Sequence, residues 1–106
     1  MATEIPDGLA IEQIWVVEAE YAADAAERRP AVRFEHLTRA AELRSAGILV
    51  EVGAYKDMSG SLILIRAATE EKALEIARAD VYYRSGVWTS LRARALGRLV
   101  GQAELG

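Results

Sequence analysis

Two side chains in this sequence have the types needed for proton chemistry. His36, within Arg33-Phe34-Glu35-His36-Leu37, is the single histidine of the chain, and Asp80 stands in Arg78-Ala79-Asp80-Val81-Tyr82-Tyr83-Arg84-Ser85-Gly86. An aspartate buried beside an imidazole fixes its tautomer and tunes it as a general acid–base near pH 7. Arg33, three residues before His36, is a candidate contact for an anionic substrate. Tyr82 and Trp88 are candidates for the aromatic wall of a small-molecule pocket. Each residue also has a plainer reading. A histidine on an apolar helix face can be a packed, hydrogen-bonded core residue, and an aspartate at a helix end readily bonds nearby backbone. Arg33 can be solvated surface charge, and the aromatics can serve core or dimer packing. The residues alone leave both readings open.

Composition narrows the classes. The chain has 106 residues, 52% hydrophobic and 27% charged, which suits one folded domain. Its formal net charge is −3 and its pI about 5.2, against a nucleic-acid partner, which requires a basic face. There are no cysteines, so disulfides, thiolate chemistry and zinc–cysteine sites are excluded. One histidine excludes a multi-histidine metal site within the chain. GxGxxG, Walker, HExxH and EF-hand patterns are absent, and neither a metal nor a cofactor is expected. No apolar run approaches the roughly 18–20 residues that span a bilayer, and no secretory signal is visible. The expectation is a soluble cytoplasmic protein without a membrane partner.

The elements that must position His36 and Asp80 follow from periodicity. Residues 1–11 read as a flexible leader, and Gln13 to Tyr21 as a strand with Val17, Ala19 and Tyr21 on one face. Ala22 to Arg29 fit either a helical turn or a charged loop. Pro30 suits the first turn of a helix running to Ala46 and ending at Gly47. The spacing Val32, His36, Ala40, Leu43 puts His36 on its apolar stripe, with Arg39 outside it or at its edge. Ile48 to Tyr55 and Ser61 to Ala67 read as a hairpin, the second strand central and covered on both faces. Thr69 followed by Glu70 and Glu71 starts a second helix. Asp80 falls on that helix's buried stripe, at the unfavourable end of its dipole. Val81 to Gly86 read as an aromatic loop, Val87 to Leu96 as the last strand, and 101–106 as a tail. Strict alternation in this last strand sets Trp88 on one face with Arg92 and Arg94.

The order strand, helix, strand, strand, helix, strand is the ferredoxin-like βαββαβ arrangement, an α+β fold with an antiparallel sheet and helices on one face. The other sheet face needs a cover, and a second copy of the chain would supply it, giving a dimeric α+β barrel. The domain is expected over 12–100.

Ordered landmarks along the chain carry a resemblance. Arg33-x-x-His36-Leu37, Leu43-x-x-x-Gly47 and Gly53 are followed by Thr69-Glu70-Glu71-Lys72-Ala73, Asp80-x-Tyr82-x-x-x-Gly86-Val87 and Leu91-Arg92-Ala93-Arg94-Ala95-Leu96. In order and spacing this set, from about Gln13 to Val100, resembles the YCII-related (YciI-like) domain family. The resemblance implies a homodimeric α+β barrel with a His–Asp pair at a pocket, here His36 and Asp80. Two positions depart from the family's pattern: Val81 and Phe34 stand where proline is usual. Relatives on this barrel act on small aromatic ring compounds by elimination or isomerisation. The function expected on that basis is cofactor-independent acid–base chemistry on a small, aromatic metabolite. The alternative is a non-catalytic dimeric module that binds a small ligand or a partner protein. Haem-linked oxygen chemistry on the same barrel type ranks below both.

Overall fold

The structure is a computed structural model and describes residues 4–104. The strand β1 (Leu9–Tyr21) leads into the helix α1 (Ala25–Ser45), followed by the hairpin β2 (Leu49–Ala54) and β3 (Gly60–Ile65). Then come α2 (Glu70–Arg78), the single turn α3 (Val81–Arg84) and β4 (Trp88–Gly101), with a 3-10 turn at Gln102–Glu104. The four strands form one antiparallel sheet in the order β2-β3-β1-β4. This is the α+β, ferredoxin-like arrangement that the order of elements implies.

Local sequence explains most boundaries. Thr69 caps α2 through its hydroxyl, which accepts the Lys72 N–H at 3.1 Å, with Glu70 and Glu71 in the first turn. Gly47, at φ +79°, turns the chain out of α1, a conformation that glycine adopts without steric cost. The helix itself starts at Ala25, so the undecided stretch from Ala22 is mostly helical. Pro30 lies inside it, not at its first turn, and removes one backbone hydrogen bond there.

The paired ribbon is longer than periodicity indicates. Leu9, Ala10 and Ile11 pair with Gly101, Val100 and Leu99, so part of the expected leader and the start of the expected tail are strand. Glu12 anchors this end, bonded to Arg66 at 2.6 Å and Arg98 at 3.3 Å. The partner of residues 9–11 lies some ninety positions away, which is why no local pattern reveals it. Residues 1–3 of the leader and 105–106 of the tail lie outside the described residues.

Two bulges redirect side chains. Between β1 and β4, Glu20 pairs with Ser90 while Tyr21 pairs with Trp88, leaving Thr89 as the extra residue. Trp88 therefore faces the helices together with Tyr21, and not the open face with Arg92 and Arg94 as strict alternation implies. A second shift between Leu49 and Glu51 likewise turns Leu49 into the core, alongside Val52.

The core lies between the sheet and the helices. Val17, Ala19 and Tyr21 of β1 and Ile63 and Ile65 of β3 meet Ala73 and Ala77 of α2 and Tyr82 of α3. On the opposite sheet face Leu62 and Leu64 are half-buried, not covered as fully as a two-sided strand requires, and Glu18 pairs with Arg92 and Arg94 across the strands. Toward the other end of the ribbon that face is covered: Ile14 and Val100 are buried, and Glu104 of the 3-10 turn lies 3.7 Å from Arg98.

Among the glycines of the sheet, Gly60 has the least room for a side chain. A Cβ there would run into the Ala19 carbonyl of β1, and backbone cannot swing aside. At Gly53 in β2 a Cβ meets nothing within 4 Å. Gly60→Ala is expected to cost about 2 kcal/mol by urea denaturation, with Gly53→Ala close to neutral. Equal stability of the two variants would contradict the tight β1–β3 contact.

Candidate active site

His36 sits midway along α1 and is the one residue of that helix's central stripe to be buried, at 7% exposure. Asp80 is not the last residue of α2 facing an unfavourable dipole. It is the N-cap of α3, with extended backbone (φ −72°, ψ 143°), and its carboxylate accepts the Tyr82 N–H at 2.8 Å. Val81 is then the first residue of a helical turn. That is a position where proline also fits, since its missing N–H is not needed there, and valine keeps the cap equally well.

The cap carboxylate serves a second purpose. Asp80 Oδ1 is 2.8 Å from His36 Nδ1, and Oδ2 is 3.3 Å from Arg39 Nη1. Arg39 also donates from Nη2 to the Ile76 carbonyl in the last turn of α2, at 2.9 Å. Burial pushes the Asp80 carboxyl up. The His36 and Tyr82 hydrogen bonds and the charges of His36 and Arg39 outweigh it, holding the group below the usual carboxylate value. An ionised carboxylate only accepts hydrogen bonds, so Nδ1 carries the proton of the neutral imidazole and Nε2 keeps a bare lone pair.

Aromatic rings fix the imidazole plane. Tyr82 stacks on it, with centroids 3.7 Å apart and planes within 6°, and Trp88 meets it edge-on at 5.6 Å. Nε2 has no hydrogen-bond partner among the described residues, and it is not one of the sealed, unpartnered side-chain atoms, which are Ser85 Oγ and Trp88 Nε1. A cleft of about 150 Å³ opens against this histidine, between α1 (Arg29, Arg33, Leu37) and the hairpin strands (Val52, Ser61), with Tyr21 and Tyr82 in its wall. Asp80 does not line that cleft; with His36, Trp88 and apolar side chains of α1, α2 and the sheet it lines a second, smaller pocket of about 20 Å³, with room for one water molecule or so.

The structure thus brings together His36, Asp80 and Tyr82, and puts Arg33 at the cleft. Trp88 does not line the cleft. It is buried at 2% exposure and braces His36 from inside, because the bulge at Thr89 turns it inward. Four further residues shape the site: Arg39, Arg29, Tyr21 and Ser61. Arg39 at i+3 and Arg29 at i−7 from His36 share its side of α1, and that spacing was the available signal. Tyr21 and Ser61, joined by a 3.0 Å hydroxyl hydrogen bond across β1 and β3, carry no local signal.

A ferredoxin-like α+β domain with a histidine backed by a buried aspartate at a small cleft defines the class of the molecule. Residues 14–95 match the YCII-related domain, and the chain belongs to that family. Among solved structures it is similar to 5-chloro-2-hydroxyhydroquinone dehydrochlorinase from Burkholderia phenoliruptrix, in complex with 2,5-dihydroxybenzoquinone. The TM-score is 0.66 at 14% identity, covering 76% of this chain and 90% of that one. At that identity the likeness is one of fold. No curated protein sequence matches. No helix among the described residues is long and apolar enough to cross a membrane.

The Asp80 contacts predict an acid limb in stability. A carboxyl whose folded pKa is depressed contributes stability fully present above its unfolded pKa, about 3.9, and lost as pH falls through the folded value. Asp80→Asn is expected to cost about 2 kcal/mol at pH 7, with the gap to wild type shrinking below about pH 4. Urea midpoints at pH 7 and pH 3 measure it, and a gap that stays constant would contradict the ion pairing.

Proposed function

We propose that the chain is a small acid–base enzyme in which His36 Nε2 moves a proton on a small ring metabolite. Asp80 acts behind it as the positioning carboxylate. The observation that carries this reading is the polarised imidazole: Nδ1 is held by Asp80, Nε2 has no hydrogen-bond partner among the described residues, and the ring lines the cleft. A base must be in hydrogen-bond reach of the proton it takes, and its other nitrogen must be oriented.

In an elimination, Nε2 would take a proton from a ring hydroxyl, or from a saturated ring carbon next to a carbonyl. The freed O–H or C–H bonding pair moves into a new double bond, and the leaving group on the ring departs with its own bonding pair. In an isomerisation, the same nitrogen would return the proton to another atom. Both reactions are redox-neutral overall, so neither requires an electron-carrying cofactor. Membership of the YCII-related family, and a similar fold solved with a dihydroxybenzoquinone, support a small-molecule substrate. Tyr82, Arg33 and the apolar cleft wall would hold it. Half-buried Leu62 and Leu64 on the sheet face opposite the helices support a homodimer packed through that face.

The alternative is a ligand-binding module in which the His–Asp bond is structural. The close packing of the imidazole between Tyr82 and Trp88 favours it. Chloride release from 5-chloro-2-hydroxyhydroquinone, alongside solvent-deuterium exchange into a panel of phenols and enols, separates the two. Turnover is expected on at least one ring, reduced about 10³-fold in His36→Gln with the fold intact by circular dichroism. Turnover unaffected by His36→Gln would remove His36 from the reaction, and no turnover on any ring would favour the module.

A further inference from the structure

Eleven arginines occur in the chain, and nine of them sit within ion-pair distance of a carboxylate. The two with no carboxylate partner among the described residues are Arg29 and Arg33, and these are the two that line the cleft at His36. No acidic residue lines that cleft. In a chain of net charge −3, this is a local reversal of sign. It also carries a cost, since like charges at i and i+4 on a helix repel by about 0.2–0.5 kcal/mol.

We infer that the cleft selects a planar ring bearing an anionic oxygen, with Arg33 as the residue that reads the charge. The inference rests on the small-ring reading above and names the ligand class of the same site. Arg29 is held by neutral groups. Its Nη1 donates to Met58 Sδ at 3.1 Å, its Nε approaches the Tyr82 hydroxyl at 3.5 Å, and its guanidinium lies 5.5 Å from the Tyr21 ring centroid. Arg33 has no hydrogen bond or ion pair among the described residues and is exposed, so its guanidinium is available to an oxyanion in the two-pronged geometry that carboxylates and similar groups accept. It lies one helical turn before His36, which sets the bound charge beside the proton-transfer nitrogen.

Two hydroxyls complete the polar side of the cleft. Tyr21 accepts from Ser61 Oγ, and Tyr82 is approached by Arg29, so each phenol keeps its own hydrogen for a ligand. Leu37 and Val52 give the ring an apolar wall. The charge can be presented as a carboxylate or as a ring oxyanion, and the shared chemistry is an oxygen anion coplanar with a ring.

The lone imidazole is its own reporter. Benzoate, its neutral isostere benzamide, and 2,5-dihydroxybenzoquinone would be titrated into the full chain while the His36 imidazole resonances are followed by NMR. Benzoate or the quinone anion is expected to bind at least 10-fold more tightly than benzamide. Arg33→Gln should cut that preference to less than 2-fold, and Arg33→Lys should restore part of it. Whichever anion binds more tightly identifies how the charge is presented. Benzamide binding as tightly as both anions, or a preference that survives Arg33→Gln, would overturn the inference and leave the small-ring reading standing. No shift of His36 with any of the three would overturn both.

Discussion

The site depends on one carboxylate that is asked to do three things at once. Asp80 caps the turn α3, receives Nδ1 of His36 from α1, and receives Arg39 from the same helix. Removing a carboxylate from water is expensive, and it is tolerated here because each oxygen faces a donor. Arg39, tied also to the Ile76 carbonyl, fastens α1 to the end of α2, so the junction of the helices and the polarity of the imidazole share one anchor. Loosening that anchor would disturb helix packing and the orientation of the imidazole together. Structural and chemical roles for Asp80 are therefore not alternatives at the level of contacts; they separate only at the cleft.

Much of the fold was legible from the chain. The strand at Val17-Ala19-Tyr21, the capped helix after Thr69 and the βαββαβ order came from periodicity and turn chemistry. The histidine's place on a buried stripe was legible for the same reason. What failed was any inference that strict alternation carries past a bulge. Trp88 and Leu49 both sit on the face opposite to the one alternation assigns, because Thr89 and the step at Val50 each insert a residue into a ladder. Bulges come from register with a distant strand, and neither insertion has a local cue.

The same distinction explains the site. Asp80 looked like a poorly placed helix end because α3 is a single turn, too short for periodicity to reveal. As the cap of that turn, its placement becomes favourable. Arg39 looked peripheral because its partner is a carboxylate 41 positions away. The cleft itself depends on Tyr21 and Ser61 meeting across two strands, a contact that exists only once the register is set. Local sequence placed the catalytic candidates, and tertiary register built the room around them.

The central claim is that Asp80 holds the proton on Nδ1 and leaves Nε2 bare. Nitrogen-15 NMR of the single histidine reads this directly, in wild type and in Asp80→Asn. The account predicts a protonated Nδ1 and an unprotonated Nε2 in the neutral imidazole of the wild type, with that bias lost or reduced in the variant. A neutral wild-type ring protonated on Nε2, or a tautomer indifferent to Asp80→Asn, would contradict it.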